Sequence, residues 1–402
     1  MCRLVLTLPK EEVQRMNRAH SCEVYKKCGG CQLTNLSYQE QLSYKMKNEI
    51  SLLGRFCRVD EIIGMDEPSH YRNKLSAVFA LDKRLRSVSG VWQSAQQRVV
   101  KTDSCVIEDE VSCWIVRAAR GMLGEYGITV YNPRTGRGQL RHIMVRRATV
   151  TREIMVVLVT ADVRLASGER FAEALVQRFP HIRTVVQRIN DTDIPIWLGE
   201  KQTVLYGDGY IEDVLCGCFF RISPRSFYQV NHTQTEVVYN KALVFAQLNP
   251  QSLVIDAYCG IGTIGIIAAA EAGHVIGVET NADAVKNAIE NCRLNHTKNY
   301  RIYNADAAKV MRHMAESGKT PDVVFADPPR AGCSKEFILS LIKSAPKRIV
   351  YISCNPETLA RDLGYITRGG YRCERIQPVD MFPHTTHVET VVLMTRTDAG
   401  KG

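Results

Sequence analysis

The sequence predicts an α/β protein in which a doubly wound parallel sheet follows a mixed, mostly antiparallel α+β segment. Three observations carry this expectation. After Pro224, strand-like and helical stretches alternate, as they do in a parallel sheet with crossover helices. Within that half, Gly260-Ile261-Gly262-Thr263-Ile264-Gly265 joins an apolar run to an alanine-rich helical stretch. Between Tyr71 and Phe220, short β-rich runs are instead separated by turn residues, with one clear helix from Gly168 to Phe179.

A chain of 402 residues, 45% of them hydrophobic, suffices for two or three domains and a sizeable core. The expected division is a tail at 1–20, a central domain at 21–224 and an α/β domain at 225–398. The net charge of +10 is uneven: Tyr71 to Val150 holds 14 Lys/Arg against 6 Asp/Glu. Such a stretch points to a polyanionic partner, nucleic acid above all. Arg134, Arg137, Arg141, Arg146 and Arg147 lie close together there and are expected to contact phosphates rather than base edges. Met1 opens no secretory leader, and no apolar run is long enough to span a bilayer, so a cytoplasmic protein without membrane contact is expected. Fourteen cysteines then argue for metal or catalytic use rather than a disulfide framework.

Taken in order, residues 1–20 read as a tail or a pairing strand. Cys22, Cys28 and Cys31 follow in C-x5-C-x2-C spacing, with Gly29 and Gly30 letting the backbone wrap closely. Three clustered thiols indicate a metal centre. A closed site needs a fourth ligand, with Cys105 the best candidate and Cys57 and Cys113 as alternatives. Zinc and an iron–sulfur cluster both suit four thiolates, and the spacing favours the cluster. From Leu36 to Phe56 the pattern Leu36, Gln39/Glu40, Leu42, Tyr44, Met46, Ile50, Leu53 reads as an amphipathic helix. The central β runs are Ala77–Leu81, Ile143–Val150, Ile154–Thr160, Thr184–Ile189, Thr203–Tyr206 and Cys218–Ile222.

In the C-terminal half, strands are expected at Ser252–Ala257, His274–Val278, Tyr300–Tyr303 and Asp322–Ala326, then at Arg348–Ile352. A closing pair lies around Arg372–Ile376 and Glu389–Met394. The strand before Cys354 is apolar and β-branched; Asn355 can cap a helix that Pro356 begins. Cys354 thus stands at a strand-to-helix corner, where the helix dipole favours thiolate and covalent catalysis. The glycine string and Glu279, 17 residues after Gly262, suit a nucleotide ribose but do not separate a nicotinamide dinucleotide from S-adenosylmethionine. Asp306 after the third strand can accept from an adenine amino group. Asp327, stiffened by Pro328 and Pro329, points into the crevice outside the strand ends. These two favour S-adenosylmethionine beside a planar base.

These residues resemble the RNA uracil-5-methyltransferases, most closely the iron–sulfur branch that methylates 23S ribosomal RNA. The resemblance runs from about Cys22 to Met394. It rests on Cys22/Cys28-Gly29-Gly30-Cys31, Tyr71-Arg72-Asn73-Lys74, Phe227-Tyr228-Gln229-Val230-Asn231 and Asp256-Ala257-Tyr258-Cys259-Gly260. Asp327-Pro328-Pro329-Arg330-Ala331-Gly332, Ser353-Cys354-Asn355-Pro356 and His387-Val388-Glu389-Thr390 complete the set. It implies a Rossmann-like class I S-adenosylmethionine-dependent methyltransferase domain behind a central RNA-binding domain with an iron–sulfur loop. Cys354 matches the family's nucleophile and Glu389 its general base. Gln229, Tyr258, Thr263, Glu279, Asp306 and Asp327 match the S-adenosylmethionine contacts, although some members carry Asn at Thr263. Cys22, Cys28, Cys31 and Cys105 match the ligands of a 4Fe–4S cluster, and the helix after the cluster is expected to pack on the catalytic domain. The 21 residues before Cys22 are too few for the N-terminal barrel (TRAM) of many members, so RNA grip is expected to fall on the basic central domain.

The expected activity is therefore methylation of carbon 5 of a 23S rRNA uridine by a monomer. Three other functions bear weighing: a transfer-RNA uracil-5-methyltransferase, an iron–sulfur NAD-dependent oxidoreductase, and a non-catalytic RNA-binding module that retains the fold, against which Cys354 and Glu389 argue. The oxidoreductase leaves Cys354 and Glu389 without a task. The transfer-RNA branch lacks the cysteine cluster.

Overall fold

The computed structural model describes residues 22–161, 165–192, 194 and 197–397; the expected tail at 1–20 lies outside them. A single helical turn, Tyr25–Cys28, precedes α1, Tyr38–Leu53. Ser37 and Glu40 close a reciprocal capping box at its start, satisfying two otherwise free backbone donors. The helix forms as expected, but its inward face differs from the expected one. Gln41, Lys45, Glu49 and Leu53 are buried in a four-residue repeat, while Tyr44 and Ile50 are exposed. The reason is its partner: three of the four buried positions meet polar groups of the loop at 380–390, so apolar periodicity misreads the face.

The central sheet holds seven strands in the order β3-β2-β1-β4-β5-β6-β7. They are β1 Lys74–Leu81, β2 Ser87–Gln93, β3 Arg98–Lys101, β4 Leu140–Arg147, β5 Ile154–Thr160, β6 Ile182–Ile189 and β7 Gln202–Tyr206. All neighbours pair antiparallel except β5 and β6, which α3, Gly168–Arg178, connects as a crossover. A second helix on this sheet, α2 Glu110–Met122, is absent from the sequence reading. Asp109 caps it by accepting from the Ser112 amide. Its buried face joins Ile115 and Val116 to the smaller Ser112, Cys113, Ala118 and Ala119, an amphipathic period that the sequence reading passes over.

The hairpin β8, Ile211–Leu215, and β9, Cys218–Ile222, leads to α4, His232–Ala246. Then comes the second seven-stranded sheet, ordered β12-β11-β10-β13-β14-β16-β15. Its strands are β10 Leu253–Asp256, β11 His274–Glu279, β12 Tyr300–Asn304, β13 Val323–Ala326, β14 Arg348–Ser353, β15 Tyr371–Val379 and β16 Glu389–Arg396. The helices between them are α5 Thr263–Ala269, α6 Ala282–Leu294, α7 Ala307–Glu316, α8 Lys335–Ser344 and α9 Pro356–Arg368. β10 to β14 run parallel, and β16 enters antiparallel between β14 and β15. One core runs from Met144, Met155 and Val157 of the central sheet through Phe220 and Val238 to Phe325, Val350 and Val391 of the second. The two sheets therefore share buried apolar surface rather than meeting through a linker.

Candidate active site

Strand order fixes where the site must lie. The second sheet reverses direction of growth between β10 and β13, and ligands of open α/β sheets bind outside the carboxyl ends of the strands at that point. Tyr258 follows β10, Glu279 ends β11, Asp306 follows β12, Asp327 follows β13 and Cys354 follows β14. β16 runs the opposite way, so its first residue, Glu389, reaches the same edge. Ser353 pairs with Thr390, so Cys354 and Glu389 stand next to the last register pair, and the charge of Glu389 bears on Cys354.

The turn after β10 is shaped by what lies under it. Gly262 has φ of 85°, in the left-handed region that side chains rarely adopt. A Cβ on Gly265 would come within 2.4 Å of the Tyr300 ring, so glycine is required there for packing. The Tyr300 hydroxyl donates to Asp256 at 2.9 Å, and Glu279 accepts from the Gly260 amide at 3.1 Å. Thus Asp256 and Tyr300, which the sequence reading leaves without a role, set the floor of the turn. A polar residue ending an otherwise apolar β10 is the one signal that could have marked Asp256.

The other expected contact residues stand on the same side. Tyr258 is half-buried, its ring 5.3 Å from that of Phe337. The Thr263 hydroxyl is 3.0 Å from that of Tyr239. Gln229 is half-buried before α4, its carbonyl accepting from the Asn73 side chain at 3.2 Å. Asp306 is exposed and caps α7, one oxygen accepting from the Lys309 amide.

Electrostatics at the edge are dominated by desolvated acids. Burial pushes Asp327 up to about 7. Glu389 is 2% exposed and is pushed well above the usual carboxylate range by burial, by Asp327 and by Glu49. The helix dipole is expected to favour the Cys354 thiolate, and its other surroundings act against that. Burial, Glu389 and Asp327 push its thiol up to about 11, against the weaker pull of Arg330. The Asn355 side chain caps α9, accepting from the Glu357 amide.

The arginine expectation is corrected in part. Arg134 and Arg137 are exposed, but Arg141, Arg146 and Arg147 point inward or are paired. Arg141 donates to the Asn190 carbonyl and stacks on Tyr131. Arg146 is 1% exposed and donates to the Ser226 carbonyl, bracing the segment before Gln229. Arg147 pairs with Asp109 at 2.7 Å. None of the three is free to hold a phosphate.

Cys22, Cys28, Cys31 and Cys105 are half-buried free thiols. The charges of Cys22 and Cys28 bear on Cys31, and that of Cys31 on Cys105, so Cys31 is electrostatically linked to the other three. Cys31 is pushed up to about 11, chiefly by burial. Among the described residues no three His, Cys, Asp or Glu side chains converge as closely as one metal ion requires. A multi-iron cluster binds each sulfur through a separate iron, so that finding bears on a single ion rather than on a cluster.

Comparison with known proteins identifies the family. The tRNA (uracil-5-)-methyltransferase family profile matches residues 196–397. An uncharacterized RNA methyltransferase of Oceanobacillus iheyensis is 41% identical over 381 residues, covering 93% of this chain and 82% of the relative. One from Caldanaerobacter subterraneus subsp. tengcongensis is 40% identical over 379 residues, with 93% and 84% covered. The solved structure of a Pyrococcus abyssi tRNA (uracil-54, C5)-methyltransferase in complex with S-adenosyl-L-homocysteine is 27% identical. It superposes with a TM-score of 0.76 over 91% of this chain and 86% of that one. The chain belongs to the tRNA (uracil-5-)-methyltransferase family, and is an S-adenosylmethionine-dependent RNA methyltransferase of the uracil-5 class with the class I fold.

Proposed function

We propose that Cys354 is the nucleophile and Glu389 the general base of uridine C5 methylation, in a 23S ribosomal RNA. The observation that carries this is their proximity at one sheet edge, next to the last β14–β16 register pair, where the charge of Glu389 bears on Cys354. Carbon 5 of uracil is a weak nucleophile. Bonding of Cys354 Sγ to carbon 6 pushes the C5=C6 electron pair onto carbon 5 as an enolate, which takes the methyl group from the sulfonium donor. Cys354 must first shed its proton. Of the two carboxylates that act on it, Asp327 is free to receive it, because Glu389 must stay unprotonated. Glu389 then takes the proton left on carbon 5; that C–H pair reforms the double bond and expels Sγ, which recovers its proton from Asp327. Gln229, Tyr258, Thr263, Glu279, Asp306 and Asp327 line the edge where the methyl donor would lie. A target uridine within folded RNA must be unpaired or flipped out to reach it.

Cys22, Cys28, Cys31 and Cys105 would hold a 4Fe–4S cluster. Three half-buried thiols around a glycine-containing turn, and a fourth, Cys105, that feels the charge of Cys31, support this. The cysteine set favours ribosomal RNA by resemblance. Transfer RNA is the second reading, favoured by the likeness to the Pyrococcus enzyme. Mapping 5-methyluridine by mass spectrometry after reaction with each unmodified RNA decides between them: product in 23S rRNA alone is expected, and product in transfer RNA alone refutes it. Substrate carrying 5-fluorouridine should trap wild-type protein covalently, since fluorine cannot leave as a proton. Anaerobically purified protein should contain about four irons per chain; zinc without iron would refute the cluster.

A further inference from the structure

Glu49 is a buried carboxyl with no part in the chemistry above. It is 0% exposed, and one oxygen, Oε2, accepts from the Thr390 hydroxyl at 2.8 Å. Its Oε1 has no hydrogen-bond partner among the described residues. A half-satisfied buried carboxyl is costly, so its placement calls for a reason. The rest of the α1 inner face shows one. The Tyr38 hydroxyl donates to Asp380 at 2.9 Å, Lys45 pairs with Asp380 at 2.5 Å and donates to the Phe382 carbonyl at 3.0 Å, and Gln41 accepts from the His384 amide at 2.8 Å. These contacts fasten the loop that joins β15 to β16 and, through Thr390, the start of β16 next to Glu389. Along β16, Thr390 faces the side of Val392 and Met394, while Glu389 faces the side of Val391.

We propose that Glu49 is a positioning residue for Glu389, holding the start of β16 through Thr390 and setting a second carboxyl behind the base. It acts from the opposite face of the sheet, on a helix that follows the cysteine loop, and rests on the assignment of Glu389 as base. Burial pushes Glu49 up to about 7, and its charge in turn raises Glu389. The other groups around the pair are accounted for. Asp327 acts on Glu389 from the end of β13; Cys354 and Tyr239 feel its charge from β14 and α4. Around α1, Asp380 is paired with Lys45, Arg375 of β15 with Asp60, and Asp362 of α9 with Arg361 and the Tyr351 hydroxyl.

The test follows two rates across pH with full-length protein, unmodified RNA and S-adenosylmethionine: formation of the covalent adduct and its release. Glu49→Gln keeps the shape but removes the charge. Adduct formation should be unchanged, and the midpoint of release should fall by about one pH unit, a tenfold change in the ionised base at a given pH. A release profile superposing on wild type overturns the proposal, as does an equal loss of formation and release, which would mark a merely structural role. Should Glu49→Gln fail to fold, Thr390→Val reads the same link. Slower release with formation retained supports it, and unchanged release overturns it. Glu389→Gln separates the two claims: if it releases product normally, the base assignment itself fails; if it stalls while Glu49→Gln matches wild type, only the Glu49 proposal fails.

Discussion

In the second sheet the chemistry-bearing side chains stand at strand ends; in the central sheet they stand within strands. Asp327, Cys354 and Glu389 each occupy the first position beyond, or the first of, a strand, and strand direction alone brings them to one edge. Arg141, Arg146 and Arg147 lie in β4, where pleat and neighbours decide which way each points. The contrast explains what could be read in advance. A parallel sheet converts sequence order into spatial order, so the candidate site was legible from Asp327, Cys354 and Glu389. Inside an antiparallel sheet that packs on both faces, a cluster of arginines says nothing about exposure. The same limit hid the inner face of α1. Its buried Gln41, Lys45 and Glu49 look solvent-facing until the polar loop they meet is known.

The comparison can be broken from either side. Cys354→Ala should abolish methylation within detection, the largest effect expected, because no other group can form the bond to carbon 6. Residual turnover, measured by methyl transfer to RNA, would break the strand-end account.

Within the polar α1 interface, Lys45→Met should cost about 3–5 kcal/mol, because it strands the buried Asp380 carboxylate. Denaturant unfolding checks this, and a loss below about 1 kcal/mol would make the pair equivalent to a surface one. Arg146→Ala should likewise act on stability through the lost Ser226 contact, whereas Arg134→Ala with Arg137→Ala should leave stability unchanged. The exposed pair should instead lower the salt slope of RNA binding by about one phosphate contact per side chain. A lower slope for Arg146→Ala and none for the exposed pair would reverse the reading of β4.

The smallest expected effect is on the pH dependence of stability. The Glu49 carboxyl is raised to about 7 in the folded chain, so the folded state binds its proton more tightly than the unfolded state does. Its contribution is fully present below the ordinary carboxylate range and is lost as pH rises through about 7. Glu49→Gln should therefore gain stability relative to wild type as pH rises across that window. Parallel melting curves at either side of it check the sign.

The most direct test of the site is what the Glu389→Gln protein accumulates. It should still attack and still methylate, then stall, because the carbon-5 proton has no acceptor; turnover should fall by about 10²–10⁴-fold. Denaturing gels with unmodified RNA and S-adenosylmethionine should show a covalent protein–RNA band for Glu389→Gln and none for Cys354→Ala. Normal turnover of Glu389→Gln without a band, or a band with Cys354→Ala, would contradict the roles assigned to this pair.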